Sequence, residues 1–320
     1  MYETISVIIP SEDGSKHLPA LECLRNVKYQ ENKIEIILAI GDCPSCQRNQ
    51  AVKTAKGDIL YFLNKDSKVA PDIFNIAMDV FNRDENIAGA GGPDLTPKDN
   101  NFIQQLFGYA MGSYFAHWKM RARYTEVGKE RISDERELLL SNLAIRKDIY
   151  LKANGFNNKL YPNEENELIN RIIKMGYKFI YSPDIKIYRD RRKSVFEFIR
   201  QFYRYGQGRM NQIFVAGIKG NAQFFIPVFF FIYLLSTLFL KKYSISFLPL
   251  VAYLTLALTD TLYIIFVKKK NLLLLVPIYI LMHISYAMGM IRGLVLQFSY
   301  RVPANPSEEI LIKHIEYFLC

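Results

Sequence analysis

Three windows toward the C-terminal end restrict this chain more than any other feature. Between Lys219 and Lys241 there is no charged residue, between Lys242 and Lys268 only Asp260, and between Lys270 and Arg292 none. Each window reaches the ~20 apolar residues that a bilayer core demands, so the pattern predicts three membrane-spanning helices within 220–297. The residues before them mix strand and helix patterns with ordinary surface charge, which predicts a water-facing domain over 1–194. Segment 195–219, with apolar and aromatic residues at helical spacing and Arg200, Arg204 and Arg209 between them, has the composition of an interfacial amphipathic helix. Residues 298–320 read as an amphipathic C-terminal tail on the membrane surface.

The formal net charge of +10 follows the same division. Arg189, Arg191, Arg192, Lys193, Arg200, Arg204, Arg209 and Lys219 precede the first window, and Lys268, Lys269 and Lys270 lie between the second and third. Lys and Arg gather on the cytoplasmic side of membrane helices, so this placement predicts a cytoplasmic N-terminal domain on the inner membrane and a C-terminus on the far side. Lys241 and Lys242 run against that bias. Anionic headgroups account for the excess better than nucleic acid does. Glu3 and SVIIP begin almost at once, which does not fit a secretory signal.

Within the first domain the decisive stretch is DILYFLNKDSKV, residues 58–69. Its apolar run Ile59–Leu63 is too short for a helix and reads as a buried parallel strand ending in polar residues. Ligands of open parallel sheets collect beyond the carboxyl ends of strands, which makes Asp66 a candidate metal ligand, although Asn, Asp and Ser are also common strand exits. The β-branched run Ile5–Ile9 closed by Pro10, and the run Glu35–Ile40, read as two further strands. Helices near 18–27 and 47–55 alternate with them, giving a βαβαβ half. Neither a G-x-G-x-x-G nor a P-loop motif is present. Gly91 and Gly92 fit either a tight turn or a close approach of backbone to ligand. Ser141–Lys147 reads as another strand, and Phe179–Tyr181 with Ile185–Tyr188 as a closing strand pair.

Glu164, Glu165 and Glu167 open a helix whose Leu168, Ile172 and Ile173 face inward. The helix dipole favours acids in a first turn, so capping accounts for some of them. Crowded carboxylates also raise at least one pKa, which suits a group that takes a proton from a hydroxyl. Cys43 and Cys46 form a C-x-x-C that fits a redox pair, whereas zinc would need a second pair that the sequence lacks.

Taken in order, SVIIP, QRNQAVKTAKGDILYFLNKDSKV, AGAGGPDLTP, SNLAIRKDIYLKANGF, NEENELINRIIKMGYKFIYSP and QFYRYGQGR resemble a family 2 glycosyltransferase. The likeness is to the membrane-attached enzymes of succinoglycan-type exopolysaccharide assembly, over roughly residues 4–210. It implies an α/β fold of the nucleotide-sugar-binding GT-A type, Rossmann-like, followed by C-terminal transmembrane helices. It also implies an inverting transfer from a UDP- or GDP-linked donor to a lipid-linked acceptor, with Mg²⁺ or Mn²⁺ as cofactor. Pro10, Ser11, Glu12 and Asp42 then fall where base and ribose are held, with Arg48 behind them and Gly92 near the donor. Asn64-x-Asp66 stands at the family's Asp-x-Asp, leaving the metal to Asp66. Glu165 matches the general base with Glu164 supporting it, and Gln201 and Arg204 match a Gln-x-x-Arg that contacts the diphosphate. Asn64 in place of Asp, Glu165 in place of Asp and Arg189 where many relatives carry His are the departures. They leave open a weakened, nucleotide-sugar-binding membrane protein, and the acceptor leaves open a polyprenyl-phosphate sugar synthase.

Overall fold

The structure is a computed structural model, and it describes residues 2–14, 17–160, 162–217, 222–240, 244–299 and 310–315. The chain forms two compact units. The first holds 1–97, 122–190 and 303–320, and the second 98–121 and 191–302.

The first unit begins with β1 (Ile5–Ser11), α1 (Pro19–Leu24), β2 (Ile34–Ile40), α2 (Pro44–Thr54) and β3 (Ile59–Leu63), the alternation expected from the apolar runs. β4 (Lys68–Val69), α3 (Ile73–Phe81), β5 (Ile87–Gly91) and β6 (Asp94–Leu95) follow. The chain then enters the second unit as α4 (Phe102–Met111) and α5 (Tyr114–His117). It returns as β7 (Arg131–Ser133), β8 (Asn142–Arg146), α6 (Lys147–Lys152), α7 (Glu164–Lys174), β9 (Lys178–Tyr181) and β10 (Ile187–Tyr188). The second unit resumes with α8 (Val195–Ala216), α9 (Ile226–Leu240), α10 (Leu248–Lys268) and α11 (Leu275–Ser299), and β11 (Leu311–Ile315) belongs again to the first.

Eight strands make one sheet in the order β11-β2-β1-β3-β8-β5-β9-β7, and β4-β10-β6 make a second. β1 is parallel to both β2 and β3, so the strand order reverses at β1 and opens a crevice beyond the carboxyl ends of β1 and β3. The period-two alternation of side chains sends Val7, Ile9, Leu38 and Tyr61 to a core under α1 and α3, and Ile8, Ile37, Leu60 and Phe62 to a core under α2 and α7. Both faces are covered, which is why these strands carry unbroken apolar runs. The closing pair expected at 179–188 is divided instead. β9 pairs with β5 and β7 in the large sheet, whereas β10 pairs with β4 and β6 in the small one. Asn142 Nδ2 donates to Ile185 O at 2.7 Å between them, holding the turn that separates the two.

In the second unit α8 packs lengthwise along α11. A Cβ on Gly206 would stand 2.0 Å from Tyr286 O, and one on Gly289 would stand 2.0 Å from Tyr203 O, so only glycine permits this backbone approach. Arg209, expected at a membrane surface, is buried with its guanidinium 3.9 Å from the Phe224 ring centroid. Two helices, Ile245–Lys268 and Leu275–Gln297, are long and apolar enough to cross a membrane. The first expected span is shorter: Ala222–Thr237 falls among helices of 10–17 residues.

The C-terminal tail differs most from its expectation. Leu311–Ile315 is a strand in antiparallel register with Ile36–Ile40 of β2. Hydrogen-bonded strands share one side of any bilayer, so the chain crosses it an even number of times between β2 and β11. β11 therefore lies on the same side of any bilayer as β2, not on the far side expected for the C-terminus. Cys320 follows β11 by five residues, a reach of at most ~18 Å, too short to recross a ~30 Å hydrocarbon core. If the first unit faces the cytoplasm, a membrane-impermeant thiol reagent should leave Cys320 unlabelled in intact cells and label it after permeabilisation; labelling from outside would then break the pairing of β11 with β2.

Candidate active site

The two loops at the β1/β3 crevice are held in place by short polar contacts. In the turn after β3, Ser67 is fully buried, its Oγ accepting from Asn64 N at 3.2 Å. This turn leaves Asp66 exposed with no hydrogen bond or ion pair among the described residues. After β1, Glu12 pairs with Lys65 at 2.9 Å and so ties one loop to the other. Ser11 is buried, and its carbonyl accepts from Gln47 Nε2 at 2.8 Å, while the same amide donates to Ala39 O at 2.6 Å. Gln47 thereby fixes the exits of β1 and β2 against α2. Pro10 is half-buried at the end of β1, and Asp42 is exposed just before α2. Cys43, just before α2, and Cys46, in its first turn, are joined in a disulfide.

Arg48, two residues beyond Cys46 on α2, connects the crevice to α7. Its side chain is buried, Nη1 lies 3.1 Å from Glu164 Oε1, and Nη2 donates to Asn64 Oδ1 at 3.1 Å. A single guanidinium therefore joins residues 16 and 116 positions away. The three first-turn acids of α7 part company here. Glu164 is held by Arg48, and Glu167 is held by Arg171 at 2.7 Å. Glu165 is 7% exposed, and its carboxylate makes no hydrogen bond or ion pair among the described residues. Burial pushes the Glu164 carboxyl up to about 7; Arg48 opposes the shift and the neighbouring Glu165 adds to it. Desolvation outweighs the single ion pair because the whole group is removed from water.

Three contributors were not apparent in the sequence. Gln47 stands inside the QRNQ stretch without a feature to distinguish it. Arg123, 4% exposed, donates from Nη2 to Asn166 Oδ1 at 2.5 Å and to Glu135 O, supporting the residue next to Glu165. A side chain added at Gly14 would meet Lys313 Nζ at 2.9 Å, so the C-terminal strand reaches the β1 loop. None of these pairings has a sequence spacing that would reveal it.

The remaining expected residues take no part in this hydrogen-bonded cluster. At Gly92 a Cβ would stand 2.2 Å from both Ser182 O and Ile185 O, so the close approach there is to the chain's own backbone. Gln201 and Arg204 are on α8 of the second unit, where Gln201 Nε2 donates to Tyr205 OH at 2.7 Å and Arg204 is exposed. Arg189 lies 2.7 Å from the fully buried Asp94, which gives it a structural partner. For a divalent cation the first unit offers the exposed Asp66 carboxylate, and no cluster of three His, Cys, Asp or Glu occurs among the described residues. One carboxylate with phosphate oxygens and water is a donor set that Mg²⁺ accepts.

Among curated proteins nothing matches the sequence. The mannosyltransferase PcManGT from Pyrobaculum calidifontis, solved in complex with GDP-Man and Mn²⁺, aligns with 92% of this chain and 88% of its own at a TM-score of 0.54 and 14% identity, a likeness of fold. TarS of S. aureus (residues 1–349) aligns with 65% of this chain and 66% of its own at a TM-score of 0.40 and 14% identity. Residues 59–291, from β3 into α11, match the family described as "Glycosyl transferase family group 2". With the fold of a GT-A enzyme and that match across most of its length, the chain belongs to glycosyltransferase family 2.

Proposed function

We propose that this enzyme moves a sugar from a UDP- or GDP-linked donor to a lipid-linked acceptor, with inversion, in the synthesis of a cell-surface polysaccharide or glycolipid. The observation that carries the reading is the Arg48 bridge, which joins the Asn64-x-Asp66 turn to Glu164 and leaves the adjacent Glu165 carboxylate without a partner among the described residues. A general base must be near its proton but not already engaged. Glu165 takes the proton of the acceptor hydroxyl, whose oxygen bonds to the anomeric carbon from the face opposite the donor's diphosphate. The bond from that carbon to the diphosphate oxygen breaks, and the nucleoside diphosphate leaves. One displacement with one base gives inversion.

Asp66 would hold Mg²⁺ or Mn²⁺ together with the donor's phosphate oxygens, and the cation supplies charge stabilisation for the leaving diphosphate. The Mn²⁺ and GDP-Man of the PcManGT complex support this choice. Pro10, Ser11, Glu12 and Asp42 take base and ribose. Arg48 is a positioning residue, acting through Asn64 and Glu164, and Gln201 and Arg204 contact the diphosphate. Asn64 keeps the acceptor oxygen that Arg48 needs, which favours a working enzyme over a weakened one. Phe229, Phe239 and Phe266 are exposed at 66%, 86% and 82%, a surface suited to lipid, and we place the protein in the inner membrane with the first unit in the cytoplasm. Polyprenyl phosphate and polyprenyl-diphosphate-linked sugar, offered separately, distinguish a polyprenyl-phosphate sugar synthase from a transferase that extends a glycan.

The test is release of nucleoside diphosphate from a panel of nucleotide sugars, with purified protein in lipid and Mn²⁺. Glu165→Gln should still bind donor but transfer sugar about 10²–10⁴-fold more slowly. Asp66→Ala should abolish turnover at limiting Mn²⁺. Normal transfer by Glu165→Gln would move the base elsewhere in α7.

Glu164 gives a second measurement. Its folded value lies above the ordinary 4.5, so the folded state binds the proton more tightly than the unfolded chain does. That contribution to stability is complete below pH 4.5 and is lost as pH rises through about 7. Glu164→Gln, uncharged at every pH, should show a smaller fall in melting temperature between pH 5 and 8 than the unaltered protein, by roughly a few degrees. Equal falls would assign the titration to another group.

A further inference from the structure

A cavity of about 430 Å³ lies inside the second unit, between the start of α4 and the α10–α11 turn. Lys98 and Asn100 line it from the segment before α4, Phe102 and Tyr109 from α4 itself, and Lys270 and Asn271 from the turn. No acidic residue lines it, and neither lysine forms an ion pair among the described residues. Asp99 follows Lys98 in sequence but does not line the cavity. Both lysines are exposed at the rim of one space without an acidic neighbour lining it, and an anion there would meet two ammonium groups at once.

The position selects the kind of anion. The turn joins Lys268, the last residue of one long apolar helix, to Leu275, the first of the next. Lys268 and Lys269 precede Lys270, and basic residues at such a point stand at headgroup level on the cytoplasmic side. Beside Lys270 and Asn271, Leu273 and Leu274 are 52% and 53% exposed. Phe102 on the opposite wall is also 52% exposed. A free phosphate makes no use of exposed leucine, whereas a lipid presents phosphate and hydrocarbon together.

We propose that this cavity binds the phosphate headgroup of a membrane lipid, with Lys98 and Lys270 as its cationic contacts and the amides of Asn100 and Asn271 as hydrogen-bond donors. No residue of the Arg48 cluster lines the cavity, and the proposal rests on the membrane reading given above. A phosphate here is carried either by an anionic phospholipid of the leaflet or by a polyprenyl phosphate of the kind that carries acceptors, and both present the same group to the two lysines.

The full-length protein is reconstituted in neutral-lipid nanodiscs containing a small share of anionic phospholipid, of polyprenyl phosphate, or neither, and retained lipid is counted by mass spectrometry after extraction into neutral detergent. The unaltered protein should retain a phosphate-bearing lipid, and the source is whichever of the two it retains. Lys98→Gln with Lys270→Gln should weaken retention by about fivefold for each lysine, roughly 25-fold together. Lys98→Arg with Lys270→Arg, which keeps the charges, should restore it. Equal retention by the glutamine pair would overturn the proposal, as would displacement by inorganic phosphate at the lipid's own concentration. Co-sedimentation of each variant with neutral vesicles reads the membrane attachment independently. Sedimentation without lipid retention overturns the cavity's role alone, whereas no sedimentation at all overturns the membrane reading and the proposal with it.

Discussion

The buried guanidinium of Arg48 is the contact on which the site depends. Removing an ion from water is expensive, and a buried charge persists only where partners are fixed around it. Arg48 has Glu164 on one nitrogen and Asn64 on another, while its Nε has no partner among the described residues. The cost is met by position, because α2, α7 and the β3 exit are each set by the apolar core before the polar groups meet. Ala51 and Val52 on α2 and Leu168, Ile169 and Ile172 on α7 pack in the same core. The core fixes the helices, and the helices hold the charges at bonding distance. Losing Arg48 would leave Glu164 buried without its cation, while the hydrophobic framework would remain.

The sequence revealed those parts in which local pattern and tertiary role coincide. Ile5–Ile9, Glu35–Ile40 and Ile59–Leu63 are apolar runs too short for helices, and they became β1, β2 and β3 with little ambiguity. The acids of α7 stood out as a group, but their division of labour did not. Glu164 and Glu167 differ only in what lies opposite them, Arg48 from 116 residues away and Arg171 from the next turn. The two-residue strands β4, β6 and β10 carry no periodicity long enough to read, and they form only because the chain returns to the same place three times. Gly92 illustrates the opposite error: a glycine beside an expected ligand invites a ligand-based reading, yet two carbonyl oxygens already occupy its space.

The second unit shows how an amphipathic pattern can mislead. α8 carries arginines among aromatics, which fits a helix lying in a membrane surface as well as one packed against a neighbour. Its apolar face is taken up by α11 instead. The sign of this was present in Gly289-x-x-x-Gly293, a spacing that lets two helix backbones touch, with Gly206 opposite on α8. Burial of Arg209 over Phe224 follows from the same packing, since a guanidinium face can stack on an aromatic ring when water is excluded.

The C-terminal strand completes the sheet for a reason that lies in β2. Its sequence IEIILAI would make a long, flat, apolar sheet edge, the kind that pairs with other chains when left bare. β11 covers it, and the new edge carries the exposed Lys313 and His314. At the other end of the sheet, β7 is three residues long, and its Arg131 pairs with Glu137 while lying over the Tyr181 ring. Both edges are therefore short and charged, as isolated edges in soluble proteins are. The cover for β2 comes from residues 311–315, which follow both long apolar helices in the chain. The edge of β2 stays open until those helices have been synthesised, so completion of the large sheet is tied to the two helices long and apolar enough to cross a membrane.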